Sequence, residues 1–201
     1  MKQARVATWS DVGGREAALV QRCALGEQTA CTELVAEHQR MVVQLAMNLL
    51  GDRDEALDLS QDVFLRVFRT IHRFRGQSSL RTWIYRIAVN QARNRHRFWR
   101  RRHRADQVSL DQHIAAHGEF HSRGESIPDR VLAQKELGQK LQTALDHLPF
   151  DQRTAIVLRE IDGLSYEEIA FSLGLAVGTV KSRLTRARQA LRLELREART
   201  S

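Results

Sequence analysis

The residues best equipped for intermolecular chemistry in this sequence are arginines, which make up 28 of its 32 basic side chains. Thirteen of them fall in residues 66–104, which contain no acid, and residues 177–201 hold a second block of net charge +5. The stretches before and between are acidic, −4 for 1–65 and −6 for 105–176. A guanidinium is a planar fork that pairs two-pronged with phosphate oxygens and guanine edges. Clustered cations also gain from counterion release when they meet a nucleic-acid backbone. Genomic base composition accounts for much of the preference for Arg over Lys, but not for 13 cations without an acid. Two docking places for a polyanion are therefore expected.

Catalytic and metal chemistry find little support. The sequence has no GxGxxG, no GxxxxGK[ST], no HExxH and no GxSxG, and its carboxylates show no evident catalytic pairing. Cys23 and Cys31, eight apart and without a CxxC partner, read as ordinary helix residues. His113, His117 and His121 would line up on a helix as a metal sensor, but Gly118 and Gly124 interrupt that segment. No metal, cofactor, catalytic residue or small-molecule substrate is expected.

The elements that position the arginines must be helical. With 201 residues, 42% apolar, 2 prolines and 11 glycines, the chain suits one domain or two small ones. It has no 18-residue apolar stretch, and its first 20 residues lack the apolar core of a secretory signal, so a cytoplasmic protein is expected. Apolar spacing predicts helices over about 15–25, 28–50, 52–71 and 80–98. Residues 72–79, with Gly76 and two serines, read as a loop, and 100–127 as a flexible linker. A helix from Pro128 to Pro149 and another at 151–161 follow, then a capping box, Ser165-Tyr166-Glu167-Glu168, opens a short helix to about Ser172. Gly174 permits the turn into a last helix at 177–196.

Ala170, Gly174 and Val180 stand at the offsets of a helix-turn-helix: a small residue at the crossing, a glycine in the turn and an apolar anchor. At 100° per residue, Val177, Val180, Leu184, Ala187 and Leu191 form the inner stripe. Thr179, Ser182, Thr185, Arg186 and Gln189 face outward, flanked by Lys181 and Arg183, a surface suited to a major groove. In the first block, Leu80, Ile84, Ile87 and Ala88 point inward, while Arg86, Asn90, Arg93 and Arg97 share the other face with Trp83 at its edge. That face and the adjoining loop could hold a strand and pocket an unpaired base, although a tryptophan such as Trp83 is more often a core anchor than a base platform.

Three stretches, DEALDLSQDVFLRVFRTIHRF at 54–74, FRGQSSLRTWIYRIAVNQARN at 74–94 and LPFDQRTAIVLREIDGLSYEEIAFSLGLAVGTVKSRLTRARQAL at 148–191, together resemble the extracytoplasmic-function sigma factors of bacterial RNA polymerase. The resemblance implies an all-α fold of two small helical domains: an extension at 1–14, sigma region 2 at 15–99, a linker at 100–127 and sigma region 4 at 128–201. It implies docking of Asp58, Gln61, Asp62 and Phe64 on the β′ clamp of core polymerase, with the β subunit a further contact. It places recognition of the melted −10 element at Phe74, Arg75, Gln77, Ser78, Trp83, Arg86, Asn90, Arg93 and Arg97, and of the −35 duplex at Thr179, Lys181, Ser182, Arg183, Thr185 and Arg186. The linker would thread toward the active-site and RNA-exit region. An anti-sigma factor, often membrane-bound in this family, is a further expected partner. Ser60, where an aliphatic or Thr is commoner, and Gln77, where the loop often has an acid, depart from the pattern. A stand-alone helix-turn-helix regulator remains the alternative, but would need a sensor or dimerisation domain where 52–98 offers an acidic helix followed by an arginine-rich one.

Overall fold

A computed structural model describes residues 14–107 and 129–200. The extension before Gly14, most of the linker, Pro128 and the three linker histidines lie outside the described residues. Helices α1 (Gly14–Ala24), α2 (Gln28–Leu50), α3 (Arg53–Thr70) and α4 (Leu80–Gln107) form the first unit, with a 3₁₀ turn at Ile71–Arg73. The second contains α5 (Asp129–Asp146), α6 (Phe150–Ile156), α7 (Tyr166–Leu173) and α8 (Val177–Thr200), with a π turn at Val157–Ile161 continuing α6. The described residues contain no strand, and none of their helices is long and apolar enough to cross a membrane.

Local chemistry sets the boundaries. Gly51, with φ +74°, closes α2, and Asp52 then caps α3 by accepting the Glu55 amide at 2.8 Å. The start of α4 is capped from a distance: the Leu80 amide donates to the Glu16 carboxylate of α1. α4 runs past the expected end near residue 98 and takes in the first residues assigned to the linker. Arginine is a good helix former, and nothing before Gln107 breaks the run.

α4 packs against α2, α3 and α7, so it is buried on more than the one expected face. Leu80, Ile84 and Ala88 are inside as the spacing predicts, whereas Ile87 is half-buried and Thr82, Tyr85, Val89 and Ala92 are buried as well. A single amphipathic stripe cannot anticipate a helix covered from two sides.

The predicted capping box is present: the Glu168 amide donates to the Ser165 hydroxyl at 3.1 Å, and the Ser165 amide to the Glu168 carboxylate at 2.8 Å. The other Glu168 oxygen accepts from Thr82 of α4 at 3.2 Å, so the cap also joins the two units. Ser165→Ala is expected to cost about 1 kcal/mol of unfolding free energy in urea titration. An unchanged midpoint would mean that water replaces the cap.

Candidate nucleic-acid interface

On α3, Asp58, Gln61 and Asp62 are exposed, beside the exposed Leu57 and Leu65. Arg95 of α4 reaches across to Glu55 at 2.7 Å and Asp62 at 3.0 Å, partly balancing that acidic rim. Phe64 corrects the expectation of a contact residue: at 7% exposure it belongs to the core and positions the helix. The α3 period places Phe64 with Val63 and Val67 on the inner side.

In the loop before α4, Arg75 and Gln77 are exposed, while Phe74 and Ser78 are buried, the second correction to the expected surface. Phe74 and Trp83 pack with ring centroids 5.3 Å apart, tilted by 52°. Their role is to form the wall and floor of a pocket of about 270 Å³ that Arg73, Arg75, Gln77 and Arg86 complete from the first unit. Gly76, with φ +66°, allows the tight turn. Of the α4 residues, Arg86, Asn90 and Arg97 are exposed and Arg93 is half-buried.

The last two helices meet through Gly174, whose φ of +65° suits glycine, and through the Leu175 amide donating to the Ala170 carbonyl at 2.9 Å. Val180, Leu184 and Ala187 are buried, which turns Thr179, Lys181, Ser182, Thr185 and Arg186 outward. The Ser182 and Thr185 hydroxyls donate to the Thr179 and Lys181 carbonyls, so both keep lone pairs toward solvent. Arg183 is more enclosed: one guanidinium nitrogen pairs with Asp151 at 3.2 Å, and Nη1 is buried without a hydrogen-bond partner.

Several residues important to this surface carried no local signal. Asp151 reads as an ordinary acid in a first helical turn, Phe171 as a core aromatic, and Arg153 as a helix-surface cation. Asp151 and Phe171 have partners tens of residues away, and Arg153 adds the Leu49 carbonyl, 104 residues away, to its nearby contact with Asp146. Asp162 is another such residue. Burial pushes its carboxyl up to about 6 from the ordinary 3.8, against the opposing pull of the Tyr85 hydroxyl and the Arg81 guanidinium on α4. Glu37, His38 and Arg40 of α2 line the same interdomain cavity. The folded chain thus holds this proton more tightly than the unfolded chain, and the associated stability is complete below 3.8 and lost as pH rises through about 6. Relative to Asp162→Asn, the wild type should therefore lose stability between about pH 4 and 6 and then level off. Parallel stability curves for the two proteins would contradict this account.

Comparison with known families gives this geometry its context. Residues 34–104 match Sigma-70 region 2, and residues 138–191 match Sigma-70, region 4. These regions in this order define a sigma-type transcription initiation factor, a class that is non-catalytic. Among curated proteins, the chain is 40% identical over 177 residues to the ECF RNA polymerase sigma-E factor of Escherichia coli strain K12, covering 86% of this chain and 90% of that protein. It is 36% identical over 173 residues to the RNA polymerase sigma-H factor of Pseudomonas aeruginosa, with the same coverage of 86% and 90%. The chain belongs to the extracytoplasmic-function sigma factors. Among solved structures it is similar to CnrH in complex with the cytosolic domain of CnrY, at 27% identity and TM-score 0.66, covering 90% of this chain and 97% of that one. It is also similar to the sigma factor RpoE in complex with the anti-sigma factor NepR from Bartonella quintana, at 27% identity and TM-score 0.62, covering 82% and 96%.

Proposed function

We propose that this protein docks on core RNA polymerase through the exposed α3 face around Asp58, Gln61 and Asp62, directs the enzyme to promoters and is held in check by an anti-sigma factor. The unit assigned to residues 15–99 captures the melted −10 strand, with Arg75, Gln77, Trp83 and Arg86 around the pocket and Asn90, Arg93 and Arg97 along α4. The unit at 128–201 reads the −35 duplex with Thr179, Lys181, Ser182, Arg183, Thr185 and Arg186. The protein does no chemistry of its own. It places two readers at a set separation and uses binding energy to favour the unpaired strand, so that melting is a shift in population. It works beside the polymerase in the cytoplasm.

The observation that carries this reading is the outer edge of α8, where hydroxyls and cations are exposed and no acid occurs between Glu168 and Glu194. To test it, the purified protein would be mixed with sigma-free bacterial core polymerase and fragmented genomic DNA from its host, and the RNA 5′ ends sequenced. Discrete starts sharing two upstream elements are expected. No starts above core enzyme alone, with DNA binding intact, would favour the stand-alone regulator.

A further inference from the structure

The acid-free block from 66 to 104 leaves α4 without an acid in its own first turn, although the unpaired amides and dipole of a helix N-terminus favour one there. Ser79 meets part of that demand: its hydroxyl accepts from the Thr82 amide at 3.1 Å and its carbonyl from the Trp83 amide at 3.1 Å. The Leu80 amide turns instead to the carboxylate of Glu16, 64 residues earlier in the chain. Glu16 continues the buried stripe of α1 formed by Leu19, Val20 and Cys23 and is itself half-buried. α1 also packs against the Ile71–Arg73 turn, where the loop begins. One helix thus grips both stems of the loop at 74–79, and the residues at the two grips, Ile71 and Leu80, are each 1% exposed. Between them lie Phe74, Arg75, Gln77 and Ser78, and Trp83 follows in the first turn of α4; all five line the pocket. None of the described residues lining that pocket is an acid, and Glu16 is not among them. A capping acid placed in the loop itself would face the phosphates of a captured strand and repel them. An acid supplied from α1 satisfies the helix end without entering the pocket.

We propose that Glu16 is a positioning residue for strand capture: from α1 it fixes the first turn of α4, and with it the loop and Trp83, in the shape that receives the unpaired strand. This inference rests on the assignment of the pocket to the −10 strand. The hydrogen bond acts on population. Once it is lost, loop conformations with a free Leu80 amide compete, and the apparent affinity falls with the fraction of chains that keep the receptive shape. A cap of ordinary strength shifts that fraction by about fivefold. The sign of the effect separates this role from plain electrostatics, because deleting an acid near a cationic surface would otherwise tighten the binding of every strand.

The test uses the full chain assembled with core polymerase. Its probes are the unpaired −10 strand of a promoter mapped by the transcription assay, a scrambled strand of the same composition and the −35 duplex, with affinity read by fluorescence anisotropy. Wild type should prefer the −10 strand to the scrambled one. Glu16→Ala should bind the −10 strand about fivefold more weakly, without weakening on the scrambled strand or the duplex, because the arginines that hold phosphates remain. Glu16→Met fills the same space without an acceptor and should behave as alanine does, which keeps the test open if alanine loosens α1. Glu16→Gln removes the same charge but keeps an oxygen that accepts from the Leu80 amide, so it should stay within about twofold of wild type on the −10 strand. Unchanged preference in Glu16→Ala and Glu16→Met would overturn the role, as would an equal weakening on all three probes. Equal losses in Glu16→Gln and Glu16→Ala would also overturn it, by assigning the effect to charge. Failure of the reader assignment looks different: wild type itself would not distinguish the −10 strand from the scrambled one, and the inference would fall with it.

Discussion

Arg153→Met is expected to lower the unfolding free energy by about 3 kcal/mol, the largest stability effect foreseen for a single substitution here. Arg153 is only 8% exposed. Its Nη1 donates to the Leu49 carbonyl at 2.9 Å and to the Asp146 carboxylate at 2.8 Å, and its Nη2 donates to the Asp146 carbonyl at 2.7 Å. Burial lowers the affinity of this guanidinium for its proton, and Asp146 works in the opposite direction. Methionine would fill much of the space left by the aliphatic stem, but would leave Asp146 without its cation and the end of α2 without a donor. A half-buried carboxylate stripped of its partner, together with carbonyls that lose their donor, costs more than the pair contributes in place. Adding Asp146→Asn should recover part of the loss, because it removes the uncompensated charge. Urea unfolding of both variants checks the account, and a loss below about 1 kcal/mol for Arg153→Met would show that water takes over its contacts. Since the Leu49 bond joins the two units, the variant should also unfold less cooperatively, with transitions that separate between fluorescence and circular dichroism.

Arg186→Ala should carry the largest functional effect. The side chain is exposed on α8, one helical turn beyond Ser182 and away from the buried Leu184 and Ala187 stripe. Alanine is at least as good a helix former, so folding should be preserved. If Arg186 pairs two-pronged with a guanine edge, its loss should cut holoenzyme transcription about 10- to 100-fold at promoters with an intact −35 element and have little effect where the element is already mutated. A uniform loss at all promoters, accompanied by a shallower salt dependence of binding, would instead make Arg186 a phosphate contact. Lys181 offers a useful contrast: its ammonium lies 5.8 Å from the Tyr166 ring centroid and is a point charge suited to phosphate, so Lys181→Ala should weaken all sequences evenly.

The helices, the capping box and the glycine turn between the last two helices were legible in the sequence because each follows from residues within about four positions of one another. So was the separation of charge, since 13 cations without an acid need no fold to be counted. The exposed positions Thr179, Lys181, Ser182, Thr185 and Arg186 on α8 were legible from its period, whereas the partial burial of Arg183 against Asp151 was not. The same reasoning fell short for α4, which is covered by α2 and α3 and also by α7. Phe64, Phe74 and Ser78 were assigned by resemblance rather than by period, and all three are buried.

What the sequence determined by itself is therefore the set of helices, their amphipathic faces and the location of the two cationic blocks, because backbone propensity and periodicity act over a single turn or a few and charge needs only to be counted. Only the tertiary structure decided that Asp151 joins Arg93 to Arg183, that Arg153 ties α6 to the end of α2, and that Glu168 serves both a cap and Thr82. Those partners are 32 to 104 residues apart along the chain, so only the packing of the helices against one another brings them together.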